Sequence, residues 1–367
     1  MKLRNKIGTG ILVFFAIAIT SLGLVLSHNS ACIPAPATSE GAELMKAIVY
    51  RCYGSTDVLR LENIEKPKPS DDEVLVKIHA ASVNPLDWHY MRGTPYLVRL
   101  GSGIGAPTNT SLGVDFSGTI EAIGESVTLF KPGDEVFGGR TGAFAEYVTV
   151  REGGALALKP ANISFEQAAS VQVAAITALQ ALRDNADVQP GQKVLINGAS
   201  GGVGTFAVQI AKSYGAEVTG VCSTRNLEMV QSLGADHVID YTQDDYTESG
   251  QSFDIIVDMV GNHSLLTNRT VMAPDGIFVI VGGATGNWIG ALIAPIKALF
   301  LSPFVGQEFG MMLAQPNHDD LVVLADLMQA GKLTPVIDRR YKLSEVPAAL
   351  EYSEEGHARG KIIISLE

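Results

Sequence analysis

Apolar and polar positions change rhythm several times along the chain. After Lys2, Arg4 and Lys6, the twenty residues 7–26 carry no charge. As a helix such a run spans about 30 Å, the thickness of bilayer hydrocarbon, so residues 1–27 are expected to form an N-terminal hydrophobic helix that anchors the chain in a membrane. The basic start also suits a cleaved secretory peptide, which stays open as the alternative. Residues 28–44 are small, polar and proline-containing, the composition of a linker. From 45 to 163, short β-type runs (45–50, 73–79, 118–124, 133–137, 143–150) sit between glycine and proline turns and predict a β-rich domain.

At Ser164-x-x-Gln167 the pattern becomes helical, opened by a capping box. Beyond it, strand-like runs at 193–197, 217–221, 237–240, 253–260 and 277–281 alternate with helical runs at 205–214, 226–233 and 263–272. That alternation predicts an α/β domain over 164–305 built on a doubly wound parallel sheet. Residues 286–305 hold one charge, Lys297, but Pro295 and Pro303 break a straight span, so a hydrophobic helical flap is expected there. Residues 306–367 return to the first domain with a helix at 319–330 and a final strand at 361–365.

The turn from strand to helix at 193–205 carries the first chemical signal. Ser200, Gly201, Gly202, Val203 and Gly204 stand where backbone N–H groups and a helix N-terminus approach a pyrophosphate, with Ala199 in the first place of the glycine fingerprint. Gly261, Gly282 and Gly283 close two later strands at the edge where a nicotinamide would lie. Composition narrows the partners. A net charge of -12, with no basic cluster, argues against nucleic acid binding. The scattered Cys32, Cys52 and Cys222 support neither a disulfide framework nor a zinc site.

Four strings, Ser82-Val-Asn-Pro-Leu-Asp-Trp88, Gly113-Val-Asp-Phe-Ser-Gly118, Ala199-Ser-Gly-Gly-Val-Gly204 and Gly356-His-Ala-Arg-Gly-Lys361, appear in this domain order. Together they resemble the medium-chain dehydrogenase/reductase superfamily, within it the zinc-independent quinone oxidoreductase branch and the relatives of the mitochondrial reticulon-interacting reductase. The resemblance covers nearly everything after residue 45 and implies a GroES-like catalytic domain joined to a Rossmann domain. Zinc-dependent members place a cysteine where Asn84 stands and Gly-His-Glu where Gly113-Val-Asp stands, so no metal ligands are expected.

Cofactor choice is read some 18 residues after Gly204, where an acid would hold the ribose 2′-OH of NAD. The sequence there is Val221-Cys-Ser-Thr-Arg225, and Ser223 with Arg225 suits a 2′-phosphate, hence NADPH. The resemblance adds Tyr241, His357, Ala358 and Arg359. Without a metal to hold an alkoxide, hydride delivery to a quinone or an α,β-unsaturated carbonyl fits better than alcohol oxidation. Asn84 is the candidate for orienting substrate or nicotinamide, Asp87 for supporting it, and His89 for donating a proton.

The expected protein is therefore an NADPH-dependent quinone or enone reductase tethered to a membrane, and by analogy with relatives a homodimer. A tethered NADPH-binding scaffold or sensor with little turnover stays open. NADPH supply favours the cytoplasmic face for the catalytic domain, while the basic N-terminus favours the opposite insertion.

Overall fold

The computed structural model describes residues 20–283, 287–288, 290–301 and 305–366. Its first sheet gathers strands separated widely in sequence. These are β3 (Glu73–Val83), β4 (Asp115–Ile123), β5 (Glu135–Gly139), β6 (Tyr147–Arg151), β7 (Leu156–Leu158), β14 (Ile337–Lys342) and β15 (Lys361–Ser365), with a separate hairpin of β1 (Leu44–Tyr50) and β2 (Leu59–Glu65). Their inward residues, among them Val74, Val76, Ile78, Phe116, Val136 and Ile364, form one core. The last strand pairs antiparallel with β3, so the chain's end returns to the domain in which it began.

The second sheet is wholly parallel, in the order β10 (His237–Asp240), β9 (Glu217–Cys222), β8 (Lys193–Asn197), β11 (Phe253–Asp258), β12 (Met272–Ile280), β13 (Glu308–Met311). Strand order reverses between β8 and β11, the switch point at which such sheets bind ligands beyond their carboxyl ends. Val194, Leu195, Ile196, Ile255, Ile256 and Val257 are fully buried, which is why these strands read as unbroken apolar runs. The capping box forms as expected, with the Ser164 N–H donating to Gln167 and the Gln167 N–H to the Ser164 hydroxyl. The chain bends at Ser170, however, so one expected helix is two, Phe165–Ala169 and Gln172–Gln180.

Four expectations change. First, most of the anchor, residues 1–19, lies outside the described residues; residues 20–27 are helical, and no helix among the described residues is long and apolar enough to cross a membrane. Second, Cys32 and Cys52 form a disulfide. A separation of 20 residues hid the pair, because the contact depends on how the segment folds back and not on spacing. Third, residues 28–33 are docked and not a free linker: the Ser30 N–H donates to Gly105 O at 2.8 Å and the Ile33 N–H to Arg51 O at 2.9 Å. Fourth, β13, four residues with an internal glycine, adds an outer strand that its sequence barely signals. The expected flap is a helix, Gly290–Leu301, with Pro295 inside it; residues 286, 289 and 302–304 of that stretch lie outside the described set.

Candidate active site

The glycine turn is built by backbone crowding. Leaving β8, Gly198 takes φ +91°, and the N–H groups of Gly198 and Ala199 both donate to Val221 O. The tight-turn role thus falls one residue before Ala199. Ala199 is instead fully buried in the Rossmann core, where a Cβ on Gly220 of β9 would come within 3.1 Å of its methyl group. A Cβ on Gly204 would lie 2.1 Å from Gly198 O, so only glycine lets helix α1 (Gly202–Ser213) start there. The helix has no side-chain cap, an N-terminus of the kind that suits an anion.

The three glycines assigned to the nicotinamide edge differ from one another. Asp258 at the end of β11 accepts from Asn197 Nδ2 and from the N–H groups of Val260 and Gly261, fixing a turn in which Gly261 has φ +71°. A Cβ on Gly282 would stand 2.2 Å from Met259 O, so packing alone requires that glycine. Beside Gly283 there is open space, and Gly201 is nearly as open, with only Gly198 O at 3.4 Å. These two keep room that no atom of the other described residues fills.

Across the carboxyl ends of β9 and β10, the residues expected around a 2′-phosphate come together. Arg225 donates to His357 O at 2.9 Å, and Arg359 reaches Arg225 O at 3.4 Å. Asn226 Nδ2 ties Ser223 to Ser200 of the glycine turn. Tyr241 is hydrogen-bonded through its N–H to Cys222 O and leaves its side chain exposed. Ala358 packs on the core of the first domain. The Arg359 Nε is buried without a partner, an orphan donor in a place that suits an anion. Two acids border the site and both are occupied: Asp338 accepts from the Arg359 N–H at 3.0 Å and from the Tyr352 hydroxyl at 2.7 Å, and hydrogen bonds, led by the Thr224 hydroxyl, hold the Asp240 carboxyl at about 2.

At the opposite end lies a cluster that residue-by-residue reading missed. Lys361 Nζ, on the first residue of β15, donates to Asn84 Oδ1 at 2.5 Å, Asp115 Oδ2 at 3.2 Å and Val83 O at 3.3 Å. Asn84 Nδ2 and Ser82 Oγ each donate to the same Asp115 oxygen at 3.0 Å, and the Val173 N–H donates to the other. All four side chains are at most 3% exposed. Lys361 also flanks the dinucleotide turn, since a Cβ on Gly202 would meet its Cδ at 3.3 Å. Three of these residues stand at strand ends, Ser82 next to last in β3, Asp115 first in β4 and Lys361 first in β15, and each lies within one of the four strings.

Asp87 belongs to the edge of this cluster. It sits in the first turn of a helix, Pro85–Arg92, and accepts from the Asn84 N–H at 2.8 Å. Burial pushes its carboxyl up to about 7, and the nearby Asp115 carboxylate adds to that. His89 is not brought to the cluster. Its Nδ1 lies 2.7 Å from Thr94 O, its ring stacks on Trp88 at 3.7 Å, and burial lowers its pKa.

A parallel sheet in this strand order, with its glycine turn locked to a β-rich domain through a buried polar cluster, defines a two-domain, dinucleotide-linked oxidoreductase. Residues 70–160 match the family described as alcohol dehydrogenase GroES-like domain, and residues 233–364 the one described as zinc-binding dehydrogenase. The chain is 35% identical to the mitochondrial NAD(P)H oxidoreductase RTN4IP1 of Mus musculus, covering 90% of this chain and 91% of that one. It is 34% identical to the chloroplastic NADPH-dependent alkenal/one oxidoreductase of Arabidopsis thaliana, covering 91% and 83%. Among solved structures, the quinone oxidoreductase of Coxiella burnetii superposes with a TM-score of 0.78 at 31% identity, over 89% of this chain and all of that one. The chain belongs to the medium-chain dehydrogenase/reductase superfamily. Despite the second family's description, no group of three or more His, Cys, Asp or Glu among the described residues could hold a metal ion.

Proposed function

We propose that the protein is a zinc-independent, NADPH-dependent reductase of quinones or α,β-unsaturated carbonyls. The observation that carries the reading is the Lys361–Asn84–Asp115 cluster, a fixed ammonium and amide at the place where metal-dependent members keep ligands. The residues present fit the dinucleotide: Gly201 and Gly283 leave room a Cβ would fill, and Arg359 Nε awaits an acceptor. When bound, the cofactor supplies a hydride to the electron-poor carbon of the substrate.

The chain's own contribution is binding and orientation. Ser223, Arg225, Tyr241, His357, Ala358 and Arg359 would hold the 2′-phosphate end, and Arg225 and Arg359 favour it by charge. The turn over Ser200–Gly204, with Val203, would take the pyrophosphate, and Gly261, Gly282 and Gly283 the nicotinamide. Asn84 has two amide hydrogens, of which one is given to Asp115; the other is available to orient a carbonyl in a dry site. Lys361 and Asp87 act through Asn84, fixing its amide and its backbone.

We assign residues 45–163 and 306–367 to the catalytic domain, 164–305 to the nucleotide domain, and 1–27 to a membrane anchor supported by its charge-free run. A homodimer is supported by the outer strand β13, which has one paired edge in its sheet. The disulfide shifts the expected location: such bonds persist where thiols oxidise, which agrees with the basic N-terminus and opposes a catalytic domain on the cytoplasmic face. The test is NADPH oxidation across a panel of quinones and enones with the full chain, in parallel with NADH. Turnover with NADPH preferred is expected; equal affinity for NADH would overturn the cofactor choice, and no turnover on any substrate the reaction class.

A further inference from the structure

Three stretches of this acidic chain are nearly without charge. Residues 7–39 contain no Asp, Glu, Lys or Arg, residues 93–114 contain only Arg99, and residues 276–307 contain only Lys297, in a chain that is 18% charged. The structure brings the described parts of all three together. Arg99 is buried and donates to Leu26 O and His28 O, both at 3.0 Å, holding the end of the helical residues 20–27. The Tyr96 N–H donates to Asn287 O at 2.7 Å, and the Tyr96 ring meets Trp288 edge-on at 4.8 Å. A Cβ on Gly23 would stand 3.3 Å from the same indole.

Large apolar side chains on these elements point to solvent: Leu24 is 68% exposed, Leu100 61%, Ile104 56% and Leu299 76%. Singly each would be ordinary, but all four stand on stretches that meet one another and are nearly free of charge, a setting in which exposed apolar side chains call for a partner. The uncharged run names it. Residues 7–19 directly precede the helical residues 20–27, whose far end is gripped by Arg99 and whose continuation is clamped by the Cys32–Cys52 disulfide. Residues 20–28 are themselves held to the domain, so a bilayer that takes up the uncharged residues just before them would lie beside this face.

We infer that this face is seated on a lipid bilayer and that the substrate enters from the lipid, as a membrane-dissolved, long-chain quinone or enone. The inference rests on the proposed reductase and anchor. Asn287 follows Gly283 by four residues, a reach of at most about 14 Å, so the face adjoins the nicotinamide edge. A net charge of -12 would be repelled by anionic lipid, and a charge-free face lets the protein lie on zwitterionic lipid instead.

The test uses the full chain in phosphatidylcholine vesicles carrying brominated acyl chains, together with the Trp288→Phe and Leu24→Glu/Leu299→Glu variants. Bromine is expected to quench a tryptophan signal that disappears in Trp288→Phe. The charged pair should lose this quenching, and its turnover of a long-chain quinone in vesicles should fall about tenfold while a short, water-soluble quinone is reduced as before. Absence of quenching in the unaltered chain overturns the inference, as does an equal response of the two quinones. If the charged pair also converts a dimer to a monomer in sedimentation without any quenching, the face belongs to a second copy. Quenching without reduction of any substrate leaves the bilayer contact standing and sinks the reductase reading.

Discussion

The two ends of the nucleotide groove are polar in different ways. At the β9 end, Arg225 and Arg359 are spread over backbone carbonyls, one guanidinium Nε has no acceptor, and the exposed Tyr241 side chain flanks the opening. At the β15 end, Lys361, Asn84, Asp115 and Ser82 satisfy one another and are shut away from solvent. On the proposed reading the first region serves the 2′-phosphate, so altering it should cost affinity and leave folding alone. The second has settled its hydrogen bonds in the folded chain apart from one Asn84 amide hydrogen, so altering it should cost stability as well as rate.

The largest effect expected is at Lys361. Lys361→Met strands the buried Asp115 carboxylate and should lower the unfolding free energy by about 3–5 kcal/mol in chemical denaturation. Adding Asp115→Asn removes the stranded charge and should recover most of that loss. A single variant as stable as the parent would show that the cluster does not act as a charged unit, and the contrast between the two ends would collapse.

At the open end, Arg225→Ala and Arg359→Ala should each weaken NADPH binding by about 1.5–3 kcal/mol, the range for hydrogen bonds to charged groups. NADH binding and the unfolding midpoint without nucleotide should stay as they were, because neither guanidinium supports the core. Titration with both nucleotides reads the difference. A parallel loss of NADH affinity would mean that the arginines shape the groove and do not select the phosphate.

Asp87 gives a smaller, pH-dependent effect at the closed end. Its folded pKa, about 7, is raised above the unfolded value of 3.8, so the folded state holds the extra proton between those limits. The stability it contributes is fully present below about pH 4 and is lost as pH rises through about 7. Asp87→Asn keeps an acceptor for the Asn84 N–H and should flatten that part of the profile. Unfolding measured from about pH 4 to 8 checks it, and an unchanged slope would assign the dependence to another group.

How much of this was legible follows the same contrast. The glycine turn and the alternation of strands and helices are local in sequence, because each element follows from its own residues and their immediate neighbours. The closed cluster joins Ser82, Asn84, Asp115 and Lys361 across distant parts of the chain through strand pairings that no local spacing encodes. The four strings marked those positions without saying that they touch. The Cys32–Cys52 bond and the docking of residues 28–33 were hidden for the same reason: each is a fold-back onto a distant surface. The short strand β13 went unseen because its four residues are held by the pairing with β12 and not by their own preference.

The smallest effect is expected at His89, which stands on the same helix as Asp87, just beyond Asn84, but belongs to neither end. In its neutral form Nδ1–H donates to Thr94 O, and burial lowers the pKa from 6.5, so above that pH the ring carries no second proton to give. We propose that the proton reaches the product from solvent. His89→Gln should therefore keep turnover within about twofold and add or remove no limb in the pH profile of kcat between about pH 6 and 8. A loss of about a hundredfold, restored by added imidazole, would return the histidine to the reaction. It would also require the loop bearing Thr94 to release Nδ1 when substrate binds, a rearrangement that a change in His89 accessibility to chemical modification on substrate binding would register.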